Sequence, residues 1–493
     1  MTTLHDPRLG GPAPATGAGR LPRVPFPTID EVSRHCVQDE EPETVHIEVH
    51  LPGRPDPDRL RAAFHEALRK HPRILMRQAP GAWWRRRYEW ELTDGPDVDP
   101  VSFPPPAADA LDRARERSMA QCPPLDAAPP IRLEQVVTPG EPGCVLVLTI
   151  NHTALDGPSC LRILATAATL YGGAENPPAP PPSRAAAGAP AAPAERAGRT
   201  AADVARSLTR SARIAADTRA PGRTGNGMLL LDLPVPARWP APADGSVRPT
   251  VNDQLMVAVC LTAARWNRLH GRPAAPVRVT MPIDDRPRAA EMPIGNGTRL
   301  VDVDFAALRE ADPRLLAAEH PDPAAVARLV HRTAAVTRAL KATPAAPMRT
   351  AGTLLTAPVL PVGLRAALTR TARRVAGPWT STVLLSNIGR VAFPLDFGDA
   401  GRARAVWFSA PARMPRGLAV TCASTAGRLH LTLRWSRALL DDAGGAALAG
   451  LLTRSLALAS PGNGPATAGG ERPGPPPETG GTADPVPRKG GGT

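Results

Sequence analysis

The chain has 493 residues, of which 42% are hydrophobic, and its 59 Lys and Arg outnumber 46 Asp and Glu to give a net charge of +13. That size allows two or three domains with a sizeable core, and it excludes a small disulfide-stapled scaffold. The 61 Pro and 42 Gly crowd the two ends and one internal stretch, which excludes disorder throughout and predicts a folded body with open segments.

The positive charge is nearly all Arg, with Lys only at 70, 341 and 489. Codon bias of a GC-rich genome raises Ala, Pro, Arg and Gly together. The functional alternative is a basic surface that draws an anionic partner, such as an acidic carrier protein or a phosphorylated cofactor tail. The six cysteines, Cys36, Cys122, Cys144, Cys160, Cys260 and Cys422, are widely spaced and form no CxxC pair. Zinc-ribbon and thioredoxin patterns are therefore absent, and most of the cysteines read as small core hydrophobes.

In chain order, residues 1–22 read as a disordered N-terminus without an apolar signal-peptide core. "VHIEVHL" (Val45 to Leu51) alternates apolar and polar residues, as a half-buried strand does. Asp56 to Asp58 cap a helix that carries Leu60, Phe64, Ala67 and Leu68 on one face and stops at His71-Pro72. "RILMRQ" and "WWRRRYEWEL" follow as strands. "CVLVLTI" (Cys144 to Ile150) is nearly all apolar, which predicts a central strand. A helix then starts near Pro158 and ends at Gly172-Gly173. Residues 173–199 form a stiff Pro/Ala linker, and a modest helix is expected over about 200–218.

A second half starts near 226. "VNDQLMVAVCLTAARWNRLHG" predicts a long helix capped by Asn252 or Asp253 and ended by Gly271. "VRVTMPI", "STVLLSNIG", "AVWFSA", "GLAVTCAST" and "LHLTLRW" are strands, the last two joined at Ala426-Gly427. A final helix spans about 441–458, and 460–493 is a disordered Pro/Gly tail. The expected division is thus an N-terminal lobe over 23–172 and a C-terminal lobe over 200–459. No short-period repeat and no run of about eighteen apolar residues occurs, so no membrane span is expected and a cytoplasmic location fits.

The stretch "NHTALDG" at 151–157 carries the strongest chemical signal. It sits at the carboxyl end of a buried strand, where loops of α/β folds present side chains to a cleft. An imidazole there could take a proton from a hydroxyl or amine attacking a carbonyl. Asp156 could pin the turn through an Arg, and Gly157 would let substrate approach the backbone. The competing reading makes Asp156 or Gly157 a plain helix N-cap ahead of Pro158, with His152 an ordinary strand-end residue.

This stretch resembles the HHxxxDG signature of the chloramphenicol-acetyltransferase-like superfamily. That superfamily includes nonribosomal peptide condensation domains, wax ester synthases, polyketide-associated acyltransferases and plant BAHD acyltransferases. "DPDRLRAAFHEALRKHPRILMR", "VRVTMPIDDRP", "IGNGTRL" and "TVLLSNIGRV" are similar to further family segments in the expected order, and the resemblance spans about residues 23–458. It implies an α/β (α+β) fold of two lobes, each a mixed sheet with helices, with an active-site tunnel between them. Asn151 replaces the first His of the signature.

The resemblance implies that His152 is the general base and that Asp156 pairs with an Arg across the site. Arg286 is the candidate partner, with Arg278, Arg288 and Arg299 nearby. Asn296, Ser386 and Asn387 are candidate oxyanion or tunnel residues. It further implies acyl transfer from a coenzyme A or carrier-protein thioester to a small-molecule hydroxyl or amine acceptor in bacterial natural-product or lipid biosynthesis. Acyl-CoA or an acyl-phosphopantetheinyl carrier protein would be co-substrate, with no permanently bound cofactor and no metal. The alternative implied by Asn151 is a non-catalytic module that docks an acyl or peptidyl carrier protein.

Other signals point elsewhere. His46 and His50 in "HIEVH" lie about 13 Å apart on a strand, too far to share one metal ion, and read as surface histidines. "WWRRRYEW" mixes bases and aromatics as single-strand nucleic-acid binders do, but it reads as an amphipathic strand, so no nucleic-acid partner is expected. "GNGT" at 295–298 lacks a dinucleotide fingerprint's third Gly, and neither a GxSxG elbow nor a phosphate-binding GxxxxGK[ST] occurs.

Overall fold

The computed structural model describes residues 21–37, 40–174, 209–217, 224–242, 245–286, 292–312, 315–316, 318–343, 352 and 354–462. Most of the expected N-terminal tail, the Pro/Ala linker, the start of the expected 200–218 helix and the C-terminal tail lie outside those residues. The described part of that helix, 209–217, is not helical.

The first half builds β1 (Arg23–Pro25), α1 (Thr28–His35), β2 (Thr44–Leu51), α2 (Pro57–Lys70), β3 (Met76–Gln78), β4 (Glu89–Leu92), β5 (Val101–Ser102), α3 (Ala110–Ala120), β6 (Ile131–Val136), β7 (Cys144–Asn151) and α4 (Gly157–Tyr171). The second half builds β8 (Asn226–Pro234), α5 (Val251–Leu269), β9 (Arg278–Asp284), β10 (Thr298–Asp304), α6 (Pro323–Ala342), α7 (Val362–Val375), β11 (Val383–Arg390), β12 (Ala405–Ser409), β13 (Leu418–Thr425), β14 (Arg428–Ser436) and α8 (Asp442–Leu458).

Two lobes result, each with a mixed sheet. The first sheet has the order β12-β2-β7-β6-β5 and the second β10-β9-β11-β13-β14-β8, while β1-β4-β3 form a small third sheet. In the first lobe α2 and α4 pack together and their apolar faces join Ile47, Leu146, Leu148 and Ile150 of the sheet in one core. In the second, α5 and α8 pack together over Val279, Leu385, Val420 and Leu433. Burial of these aliphatic side chains is the main favourable term holding each lobe.

Local chemistry explains the long helices. Asp56 caps α2, its carboxylate accepting from Arg59 N at 2.9 Å. Thr250, rather than Asn252 or Asp253, is the N-cap of α5; Asp253 reaches back to the Thr250 backbone N–H at 2.8 Å and completes a capping box. Gly271 ends that helix with φ +67°, and Ala426 (φ +51°) with Gly427 (φ +77°) turns β13 into β14.

Three expectations change. The lobes do not follow the chain division, because β12 leaves the second half and pairs antiparallel with β2 of the first lobe. Leu395, Phe397 and Ala403, which lead into β12, join the first core. Next, β2 is covered on both faces, and His46 is fully buried rather than on the surface. Glu48 beside it is also fully buried, because Arg115 of α3 reaches over the sheet and donates to it at 2.7 and 2.9 Å. Finally, only Glu89–Leu92 of the Trp83–Leu92 segment is strand, and 83–88 is loop.

One buried guanidinium ties the lobes. Arg434 of β14 has no exposed surface. It donates to Asn226 Oδ1 at 2.6 Å and to Thr44 O and Oγ1, each at 2.9 Å. Thr44 is the β-ladder partner of Asn151, so this contact fixes the strand beside the HxxxDG loop. Burial lowers the Arg434 pKa to about 10, which leaves it cationic at neutral pH. Arg434→Met keeps the side-chain bulk but strips the Asn226 and Thr44 acceptors of their donor. The expected loss is about 3 kcal/mol, read as a lower urea midpoint at unchanged slope.

Candidate active site

β7 delivers the HxxxDG loop and α4 carries it away. The two competing readings of Asp156 are both realised. Its Oδ1 accepts from Ser159 N at 3.1 Å as the N-cap of α4. Its Oδ2 accepts from Arg286 Nη2 at 2.6 Å and from Gly297 N at 2.9 Å. A carboxylate has lone pairs enough for all three donors.

Arg286 follows β9 of the second lobe, so its ion pair with Asp156 joins the lobes at the loop. Asp284 holds the other edge of the guanidinium at 2.8 Å. Nη1 donates to Ser159 Oγ at 3.1 Å and Gly295 O at 3.0 Å. Burial opposes the charge on Arg286, but the carboxylates of Asp156 and Asp284 outweigh it and raise its pKa. Arg278 instead pairs with Asp304, and Arg299 with Asp285. Arg288 lies outside the described residues.

His152 is half-buried. Its backbone N–H donates to Glu43 O at 2.7 Å. Its Nδ1 lies 2.9 Å from Leu155 O, and a carbonyl oxygen can only accept, so Nδ1 carries the proton in the neutral ring. That leaves the lone pair on Nε2. Among the described residues Nε2 has no protein partner and is not among the buried unpaired atoms. A Cβ at Gly157 would meet only Phe408, at 3.9 Å.

Asn151, in place of a His, is a brace. Its Nδ2 donates to Pro123 O at 3.0 Å and its Oδ1 accepts from Thr153 N at 3.1 Å. Asn296 has a similar task. Its Nδ2 donates to Thr153 O at 2.9 Å, to His152 O at 3.3 Å and to Asp30 Oδ1 at 2.9 Å. With its donors engaged, Asn296 clamps the loop and is not free to bind an oxyanion. Asn387 accepts from Gly389 N at 2.8 Å through Oδ1 at a β-bulge and donates through Nδ2 to Asn252 Oδ1 at 3.5 Å. Ser386 is half-buried on β11. The geometry thus joins His152, Asp156, Gly157, Arg286 and Asn296 in one bonded network, which does not include Ser386 or Asn387.

Sequence reasoning passed over Asp30, Ser159 and Asp284. The signals for the last two were local: Ser159 stands two residues after Gly157, and Asp284 two before Arg286. Asp30 had none, since it arrives from α1. Fully buried, it accepts from Trp90 Nε1 at 3.0 Å as well as from Asn296. Burial raises its pKa from 3.8 to about 6, against the opposing pull of Arg73.

Two outcomes follow. Asp156→Asn keeps the cap oxygen but leaves Arg286 short of a counter-charge. It should cost about 3 kcal/mol, seen as a lower denaturation midpoint. For Asp30 the folded pKa lies above the unfolded one, so its contribution is greatest below about pH 4 and is lost as pH rises through about 6. The stability of the wild-type chain relative to Asp30→Asn should therefore decline across that window, as melting curves at stepped pH will show.

No protein-family model matches the chain. Two Mycobacterium tuberculosis proteins, uncharacterized protein Rv2305 (strain ATCC 25618 / H37Rv) and uncharacterized protein MT2362 (strain CDC 1551 / Oshkosh), are each 31% identical over 382 residues, covering 75% of this chain and 84% of theirs. Among solved structures, the trichothecene 15-O-acetyltransferase TRI3 of Fusarium sporotrichioides superposes with TM-score 0.60 at 12% identity, over 90% of this chain and 96% of that one. A mutant starter condensation domain of rhizomide synthetase RzmA, in complex with C8-CoA, gives 0.55 at 15% identity, over 88% and 94%. The first condensation domain of the CDA synthetase gives 0.55 at 17%, over 89% and 96%. The chain belongs to one family with these mycobacterial proteins, and it shares the two-lobed fold of the acetyltransferase and condensation-domain structures.

Proposed function

We propose that the chain is an acyltransferase that moves an acyl group from a coenzyme A or carrier-protein thioester to a hydroxyl or amine acceptor. The observation that carries this reading is the tautomer of His152. Leu155 O holds the Nδ1 proton, which leaves the Nε2 lone pair to take an acceptor's proton. The names of proteins sharing the fold, an acetyltransferase and a condensation domain holding C8-CoA, support the same chemistry.

In the proposed reaction Nε2 takes the acceptor's proton as its oxygen or nitrogen attacks the thioester carbonyl carbon. The tetrahedral intermediate collapses with loss of the thiolate, which takes the proton back from the imidazolium. Ester or amide and free thiol are the products, and no covalent bond to the protein forms. Asp156 and Arg286 are positioning residues, because they hold the loop and not the substrate. Ser386 is the oxyanion donor in this reading, and the hydrogen bonds of Asn296 and Asn387 support scaffold roles for those two. Donor and acceptor would enter a tunnel between the lobes, and the setting would be cytoplasmic natural-product or lipid biosynthesis.

His152→Ala should lower the rate of thiol release from acyl-CoA or acyl-carrier substrates, with a verified acceptor, by about a hundred- to ten-thousand-fold at an unchanged melting temperature. A variant that turns over at the wild-type rate rejects the role of His152. Carrier-protein binding by the wild-type chain without turnover of a broad thioester panel assigns it instead to docking.

A further inference from the structure

α7 is inverted. Its inward face holds Val362, Ala366, Thr369 and Arg365, the last paired with Glu31 at 2.6 Å. Its outward face, at i, i+4 and i+11, holds Leu364, Leu368 and Val375, which are 45%, 46% and 67% exposed. A helix packed on a globular core normally turns those residues inward, so this face lacks a partner among the described residues.

The 83–86 loop extends the same surface. Its carbonyls cap the first turn of α7: Val362 N donates to Arg85 O at 2.8 Å and Gly363 N to Trp83 O at 2.9 Å. Trp83 packs onto Gly363, where a Cβ would come within 3.2 Å of it. Trp83 and Trp84 stand edge to face at 5.9 Å, 66% and 64% exposed. The charges nearby are mostly positive. Arg86, Arg87, Arg370 and Arg374 are exposed, and none of them has a carboxylate within ion-pair distance among the described residues. Arg85, Arg86 and Arg87, with Glu89 and Pro358, line a cavity of about 430 Å³.

We propose that the outward face of α7 and the 83–87 loop dock this protein on an anionic lipid surface. An aliphatic helix face, paired tryptophans and unpaired arginines are the elements of an interfacial membrane contact. The aliphatic side chains enter the acyl boundary, the indoles sit at the headgroups, and the guanidiniums meet lipid phosphates. Leu364, Leu368 and Val375 offer nucleic-acid bases neither a stacking plane nor a hydrogen bond, which disfavours the single-strand alternative. No helix among the described residues is long and apolar enough to cross a membrane, so the contact lies on the surface. The inference is independent of His152.

The test is sedimentation of the full chain with phosphatidylcholine vesicles, with and without phosphatidylglycerol. The protein should be retained on the anionic vesicles, less so as salt rises, and its Trp emission should shift to shorter wavelength. Leu364→Asn with Leu368→Asn, a neutral pair of changes at exposed sites, should weaken retention at least about tenfold at unchanged melting temperature. Arg86→Gln and Arg87→Gln should each weaken it about fivefold. Absence of retention on either vesicle, or wild-type retention of the double Leu variant, overturns the proposal. So does a dimer that the Leu variant dissociates, which makes this face an interface between copies. Retention on single-stranded DNA without vesicle binding overturns it as well.

Discussion

The 2.6 Å contact between Asp156 and Arg286 is the interaction on which the candidate site rests. It spans 130 residues and crosses from the first lobe to the second. Buried charges of this kind are costly unless every lone pair and proton is used. Here the requirement is met: Asp156 also caps α4 and accepts from Gly297, while Arg286 also meets Asp284, Ser159 and Gly295. The same carboxylate therefore starts a helix and joins two lobes, so the site loop cannot shift without disturbing both.

The loop is held from its other side by equally specific means. Arg434 fixes Thr44, the ladder partner of Asn151, and the neighbouring Glu43 carbonyl accepts from His152 N. Asn296 brings the buried Asp30 against the backbone of His152 and Thr153. The imidazole has Nδ1 bound to Leu155 O, and its other nitrogen has no protein partner among the described residues. Asn151, which departs from the paired-histidine signature, braces the turn.

Much of the site was legible because its signals are short-range. His152, Asp156 and Gly157 stand within six residues, and the apolar run before them marks a buried strand end. Arg286 is the candidate by its place in "MPIDDRP" at a strand end, with three other arginines nearby; the partners Asp304 and Asp285 that occupy Arg278 and Arg299 become visible in three dimensions alone. Asn296 was expected as an oxyanion or tunnel residue, but its hydrogen bonds are to acceptors contributed by two distant elements. His46 of β2 was misplaced for the same reason. Alternation marks a polar face, yet it cannot show that α3 will cover that face and turn its charges toward each other.

By itself the sequence determined the helices α2, α4, α5 and α8, the Asp56 cap of α2, the buried strand β7, the β13–β14 turn and the motif that ends β7. Helical and strand periods, capping oxygens and glycine conformations act over a few residues. Only the tertiary structure decided that β12 joins the first lobe's sheet, that Arg286 is the partner of Asp156, and that α7 turns its aliphatic face outward. Those outcomes depend on closing loops of a hundred residues or more and on which surfaces then compete for burial. No local pattern encodes them.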